Sequence, residues 1–243
     1  MSPERPVSAT RAAGPPIAAV LGHGDLGASL LAIFPLFLLY NIGVMFTPTM
    51  NGVDFVSRNL LALVGGSRTN YLLVNAALAV LFLVAVAVMR KHRLAERRSF
   101  LSMLLESGIY ALTLGTLIIF VMQRLLGIEP KLAVGSLTNL IVSVGAGVHE
   151  ELVFRLGALA GGAALLRVLG LRHVAAVVIA FALSAVLFSA AHHIGAMGET
   201  FTIDAFVYRA LAGVLFGLIF YYRSLAHAAY THALYDIYVL ILR

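Results

Sequence analysis

The chain has 243 residues, of which 61% are hydrophobic and 12% charged, with a mean hydropathy of +0.97 and a formal net charge of +6. This composition excludes an ordinary soluble domain and predicts a polytopic membrane protein. The basic residues flank apolar runs, a pattern of membrane orientation and not of a nucleic-acid surface. The chain has no Cys, which excludes disulfides, thiol nucleophiles and thiolate metal sites.

The first 26 residues are rich in proline and glycine and lack the short apolar core of a cleaved signal peptide, so they are predicted to form a flexible tail. A bilayer core needs about 20 apolar residues per helix. Seven stretches fit, at residues 27–48, 71–89, 100–121, 138–165, 174–195, 205–222 and 225–242. Residues 51–71, with charges between apolar positions at helical spacing, are predicted to be interfacial. The expected fold is therefore an all-α membrane helix bundle.

The positive charges predict the orientation of this bundle. Five of them lie between the second and third predicted spans, at Arg90, Lys91, Arg93, Arg97 and Arg98. That loop is expected to be cytoplasmic, and alternation of the spans then places the N-terminus inside and the C-terminus outside.

Three polar motifs interrupt the apolar runs, and each pairs residues four apart, which share one face of a helix. Ionisable residues at membrane depth are costly and usually mark function. The motifs are Glu150-Glu151-x-x-x-Arg155, Phe188-x-x-x-His192 and His232-x-x-x-Asp236. Arg155 can neutralise Glu151, which leaves Glu150 as the carboxylate free to act.

The first two motifs are expected to meet. Glu150 and His192 each lie 21 residues from a predicted turn near Leu171, so regular antiparallel helices would place them at similar depth. Glutamate and histidines without Cys or Ser suit the activation of water, because a carboxylate in apolar surroundings is a good general base. His192 could share the proton, and His232 could donate a hydrogen bond to an oxyanion.

The three motifs, in this order, resemble the CAAX protease and bacteriocin-processing (CPBP or Abi) family, which includes the type II CAAX prenyl endopeptidases, glutamate-dependent intramembrane proteases. The resemblance covers residues 100–243, the expected catalytic membrane core. Residues 27–99 form an N-terminal unit of two spans and the interfacial segment. By resemblance, Glu150 and His192 activate water, and His232 and Asp236 occupy the oxyanion positions. Prenyl endopeptidases carry Asn where this chain has Asp236, which either orients His232 or is protonated.

The resemblance implies an intramembrane endopeptidase acting on a membrane-associated or anchor-bearing substrate, without a cofactor, in a bacterial cytoplasmic membrane. Glu151 is expected to contribute to the site, and Arg155 and Phe188 are expected to support it. Two alternatives stay open. Glu150, His192 and His232 could bind zinc, although the chain lacks a His-Glu-x-x-His helix. A proton-coupled transporter or a bacteriocin immunity protein would also explain intramembrane Glu and His.

Overall fold

The computed structural model describes residues 26–47, 51, 54–91, 100–125, 127, 137–194 and 198–239. Every regular element within these ranges is helical, which confirms the predicted all-α fold. The predicted N-terminal tail lies outside the described residues, apart from Leu26 at the start of the first helix. Most of the basic loop between the second and third predicted spans also lies outside them.

The helices follow one another with short connections. They are α1 (Leu26–Gly43), α2 (Phe55–Leu63), α3 (Arg68–Lys91), α4 (Phe100–Phe120), α5 (Leu137–Gly145), α6 (Gly162–Val168), α7 (His173–Ala191), α8 (Ile203–Tyr222) and α9 (Leu225–Ile237). A π-helical segment, Ala146–Gly161, joins α5 to α6 without a break. Side-chain oxygens of Asp54, Thr202 and Ser224 cap α2, α8 and α9 by accepting hydrogen bonds from backbone N–H groups in the first turn.

Among the residues that the structure describes, five helices are long and apolar enough to cross a membrane, and each coincides with a predicted span. They are Leu26–Phe46, Arg68–Val88, Phe100–Arg124, His173–Ala191 and Ile203–Tyr222. The other two predicted spans, 138–165 and 225–242, are not among these five α-helices. In the first, the π-helical segment replaces the α-helix between α5 and α6, and the second contains a described α-helix of only 13 residues. The protein is nevertheless a multi-pass membrane protein, as predicted.

The predicted interfacial segment has two parts. Helix α2 is short, and Gly65 and Gly66 form the turn to α3 with φ angles of 65° and 74°, a conformation that favours glycine. Before α2, Asn51 and Asp54 are buried, at 3% and 0% exposed. The sequence prediction did not foresee this burial.

Helix α9 lies at the centre of the bundle, in contact with α1, α4, α5, α8 and the π-helical segment. All nine residues from Leu225 to Ala233 are buried. Gly147 permits the close approach of α9, since a Cβ atom at this position would lie 2.5 Å from the Ala229 carbonyl oxygen. Large apolar side chains on α3, α4 and α7 face outward, as expected for helices in lipid.

Candidate active site

The π-helical segment carries the three polar residues of the first motif, and all three are buried. Glu150 is 3% exposed, and both Glu151 and Arg155 are 0% exposed. Segments of π-helix are rare and often lie at functional sites. Buried charges need partners, so the contacts of these three residues define the site.

Glu151 has a charged or polar partner at each carboxylate oxygen. Oε2 forms an ion pair with Arg155 Nε at 3.1 Å without hydrogen-bond geometry, and Oε1 lies 2.7 Å from His232 Nδ1. Arg155 also donates from Nη2 to the Gly213 carbonyl oxygen at 3.1 Å, and its guanidinium lies 4.5 Å from the centre of the Phe188 ring. Glu151 therefore links the arginine to the histidine on α9.

Glu150 keeps one oxygen free of direct hydrogen bonds. Oε1 accepts a hydrogen bond from Asn51 Nδ2 at 2.7 Å. Within the described part of the chain, no group donates a hydrogen bond to Oε2. This oxygen lies 3.5 Å from His192 Nε2 and 3.9 Å from His232 Nε2.

His192 immediately follows the last residue of α7, and its ring orientation is fixed. Nδ1 lies 2.8 Å from the Phe188 carbonyl oxygen, and a carbonyl can only accept, so Nδ1 donates. In the neutral ring, Nε2 then carries the lone pair and faces Glu150. The Phe188 ring lies 5.1 Å from the imidazole and 5.7 Å from that of His232, so Phe188 packs against both histidines.

His232 is surrounded by carboxylates. Its Nδ1 contacts Glu151, while Nε2 lies 3.6 Å from Asp236 Oδ2 and 3.9 Å from Glu150 Oε2. The Phe216 ring stacks on the imidazole at 4.3 Å between centres and 20° between planes. Asp236 is too far away for a direct hydrogen bond. Glu151, not Asp236, therefore forms the hydrogen bond that orients His232.

The structure brings the seven predicted site residues together from the π-helical segment, α7 and α9. They are Glu150, Glu151, Arg155, Phe188, His192, His232 and Asp236. Sequence reasoning missed Asn51 and Phe216. Asn51 is 99 residues from Glu150 in the chain and lies in a segment predicted to be interfacial, so no local pattern marks it.

Glu199, which lies between α7 and α8, pairs with Arg209 of α8. Arg209 Nε donates to Glu199 Oε1 at 2.6 Å, and this hydrogen bond holds the pKa of Glu199 below its usual value. His193 Nδ1 lies 3.9 Å from the same carboxylate. A basic residue of α8 is thus held beside the histidine pair at the end of α7.

A second polar cluster lies apart from the predicted site. Glu106 on α4 pairs with Arg223 and lies 3.4 Å from His227 Nε2. Tyr110 also donates to Glu106. Arg155 is unavailable to Glu106 because it is already paired with Glu151.

The fold and the site together define a polytopic helical membrane protein with a buried centre of two glutamates and two histidines. Residues 131–238 match the family model described as Type II CAAX prenyl endopeptidase Rce1-like. This match confirms the predicted CPBP resemblance over that region and supports an intramembrane endopeptidase. Searches of curated proteins and of solved structures found no match.

Replacement of Glu151 by Gln should destabilise the protein by about 3 kcal/mol or more, because Arg155 is fully buried and loses its anion. Glu106→Gln is the matched control, since Glu106 and its partner Arg223 are 27% and 38% exposed. Breaking such a partly exposed pair should cost about 1 kcal/mol or less. Unfolding of both variants in detergent measures the difference, and equal losses would contradict the structural role of Glu151.

Proposed function

We propose that this protein hydrolyses a peptide bond of a membrane-associated substrate with a water molecule activated by Glu150 and His192. The observation that carries the proposal is the arrangement around Glu150 Oε2. This oxygen faces the Nε2 atoms of His192 and His232 at 3.5 Å and 3.9 Å. The three groups come from three different helical segments, and Asn51 already occupies the other oxygen of Glu150.

The fixed tautomer of His192 supports its role in binding water. A neutral His192 directs a lone pair at a carboxylate oxygen, and two acceptors do not attract each other directly. A water molecule between them can donate one hydrogen to each. Glu150 then takes a proton from the water molecule, and the water oxygen attacks the substrate carbonyl carbon. The proton passes to the amine nitrogen as the C–N bond breaks.

The surroundings of His232 support a role in oxyanion stabilisation. Three carboxylates, Glu150, Glu151 and Asp236, lie within 3.9 Å of its ring nitrogens, and nearby negative charge favours the protonated imidazolium. With Nδ1 donating to Glu151, the Nε2–H group is left to donate to the oxyanion. A hydrogen-bond donor aimed at developing charge in a water-excluded site is a large catalytic contribution.

The substrate proposed is a peptide held at the membrane, either by its own apolar segment or by an attached anchor. An apolar cavity of about 390 Å³ lies between α1, α3 and the π-helical segment. Val148 and Leu152, which flank the two glutamates in sequence, are among its lining residues. Such a cavity suits an apolar group of a membrane-held substrate. The proposed location is a bacterial cytoplasmic membrane, with no role for nucleic acid.

The proposal is tested with purified protein in proteoliposomes and two fluorescent probes, a farnesylated peptide with a CAAX terminus and a peptide with a single membrane span. Cleavage of either probe at one peptide bond, identified by mass spectrometry, is the expected result. A protein that cleaves neither probe and instead accumulates solutes under a pH gradient would be a transporter, and the proposal would be wrong.

Proteolysis should be independent of metal ions. In the proposed mechanism, Nδ1 of His232 donates to Glu151 and Nε2 donates to the oxyanion, and a ring nitrogen that carries a proton cannot ligate a metal. We expect activity to survive incubation with EDTA or phenanthroline, and elemental analysis of active protein to show no stoichiometric zinc. Loss of activity with chelator and recovery with added zinc would favour the zinc-protease alternative, with Glu150, His192 and His232 as ligands.

A further inference from the structure

Asn51, which lies between α1 and α2, reaches the candidate active site, although it precedes the region of family similarity, residues 131–238. Asn51 is 3% exposed and donates from Nδ2 to Glu150 Oε1 at 2.7 Å. A hydrogen bond to an ionised group inside a protein is stronger than one between neutral groups. This contact therefore constrains the orientation of the Glu150 carboxylate more directly than the longer contacts to His192 and His232 do.

The backbone of Asn51 is held independently of its side chain. Its N–H donates to Tyr40 Oη at 3.1 Å. Its carbonyl oxygen accepts from Asp54 N at 3.1 Å and from Arg58 Nη2 at 3.2 Å. The carboxamide is thus presented to Glu150 by a fixed backbone, and a side-chain substitution leaves these three hydrogen bonds in place.

A buried polar network clamps the same segment to the helix that carries Glu150. Tyr40 Oη donates to Asp54 Oδ2 at 2.7 Å, and Asp54 Oδ1 lies 3.5 Å from His149 Nε2. The Tyr40 ring packs directly on Gly145, where a Cβ atom would lie 2.2 Å from it. Asp54 therefore joins Tyr40 of α1 to His149, one position before Glu150, while α1 itself packs on α5 at Gly145.

We propose that Asn51 is a positioning residue that holds Glu150 by one oxygen, so that the other oxygen faces the water site between His192 and His232. This inference rests on the proposed function, because it assigns Asn51 an effect through Glu150. Without the carboxamide, the carboxylate can rotate, and either oxygen can turn away from the histidines. The N-terminal unit is then part of the catalytic apparatus.

Asn51→Ala should lower kcat/KM by about 10-fold or more, which corresponds to the loss of one hydrogen bond to a charged group. The effect should be on kcat, with KM little changed, because Asn51 acts on the base and not on the substrate. Asn75→Ala is the matched control. Asn75 is also a buried N-terminal asparagine, but its Nδ2 donates to the Tyr71 carbonyl oxygen of its own helix. This control should keep the activity of the unaltered protein.

The pH profile separates positioning from simple support of the fold. The hydrogen bond from Asn51 favours the ionised carboxylate, so its loss should move the acidic limb of the kcat/KM profile to higher pH. The other charged or titratable groups around Glu150 include Glu151 and Arg155 on the π-helical segment, His192 at the end of α7, Arg209 on α8, and His232 and Asp236 on α9. These groups are unchanged in the variant, so they contribute equally to both profiles.

Asn51→Leu repeats the test with a side chain of similar shape, in case the cavity left by alanine prevents folding. A loss of kcat with a shifted acidic limb in either folded variant supports the proposal. An unshifted profile with the activity of the Asn75→Ala control overturns it.

Glu150→Gln, assayed in parallel, separates failure of the proposed function from failure of the role assigned to Asn51. If that variant is active, the proposed function fails, whereas an inactive Glu150→Gln with a fully active Asn51→Leu refutes only the role of Asn51.

Discussion

Glu150→Gln should abolish proteolysis while the protein still inserts and folds. The amide keeps the shape of the side chain but cannot accept a proton from water, and general-base catalysis typically contributes about 10² to 10⁴-fold. The carboxamide can still use its oxygen to accept the hydrogen bond from Asn51, so the local structure should persist. The measurement is the cleavage rate of the farnesylated and single-span probes in proteoliposomes.

The matched control for this experiment is Glu106→Gln, the same substitution at another glutamate inside the bundle. Glu106 belongs to the separate cluster with Arg223 and His227, so its variant should retain proteolysis. Thermal unfolding and gel filtration of both variants establish that they are folded. Cleavage by Glu150→Gln at the rate of the unaltered protein would refute the general-base assignment.

His232→Ala should reduce kcat by about 100-fold or more, as the loss of an oxyanion donor typically does. Asp236→Asn should retain substantial activity. Asp236 lies 3.6 Å from His232 Nε2, too far to orient the ring directly, and Glu151 holds Nδ1 at 2.7 Å. The cleavage rate of the same two probes measures both variants.

His227→Ala provides the control on the same helix. His227 lies five positions before His232 in the chain and contacts Ser224 and Glu106 instead of the site. It should leave kcat unchanged if the variant folds. An inactive Asp236→Asn together with an active His232→Ala would show that the two roles are wrongly divided. Asp236 would then be the candidate for a second acid or a metal ligand.

The parts of the structure that follow from local periodicity could be predicted. Glu151 meets Arg155 because residues four apart share a helix face. Glu150 meets His192 because both lie equally far along the chain from the turn that connects their two helices. The Glu151 to Arg155 contact persists although the segment is π-helical, a conformation that no sequence pattern indicated.

The parts that depend on tertiary packing could not be predicted. The hydrogen bond from His232 to Glu151 requires α9 to approach Gly147, and the one from Asn51 to Glu150 requires a polar connection to enter the bundle. Both contacts join residues at least 81 positions apart, and one sequence contains no record of such pairings. The interfacial prediction for residues 51–71 used amphipathic spacing, which does not reveal that Asn51 and Asp54 are buried.

The central claim is that water activated by Glu150, and not the carboxylate itself, attacks the substrate. A single-turnover cleavage in water labelled with oxygen-18 tests it most directly. Direct attack by water should place one labelled oxygen in the new carboxyl terminus of the product and none in the peptide that contains Glu150. An unlabelled product, together with labelled Glu150, would show a covalent acyl intermediate on the carboxylate and would contradict this mechanism.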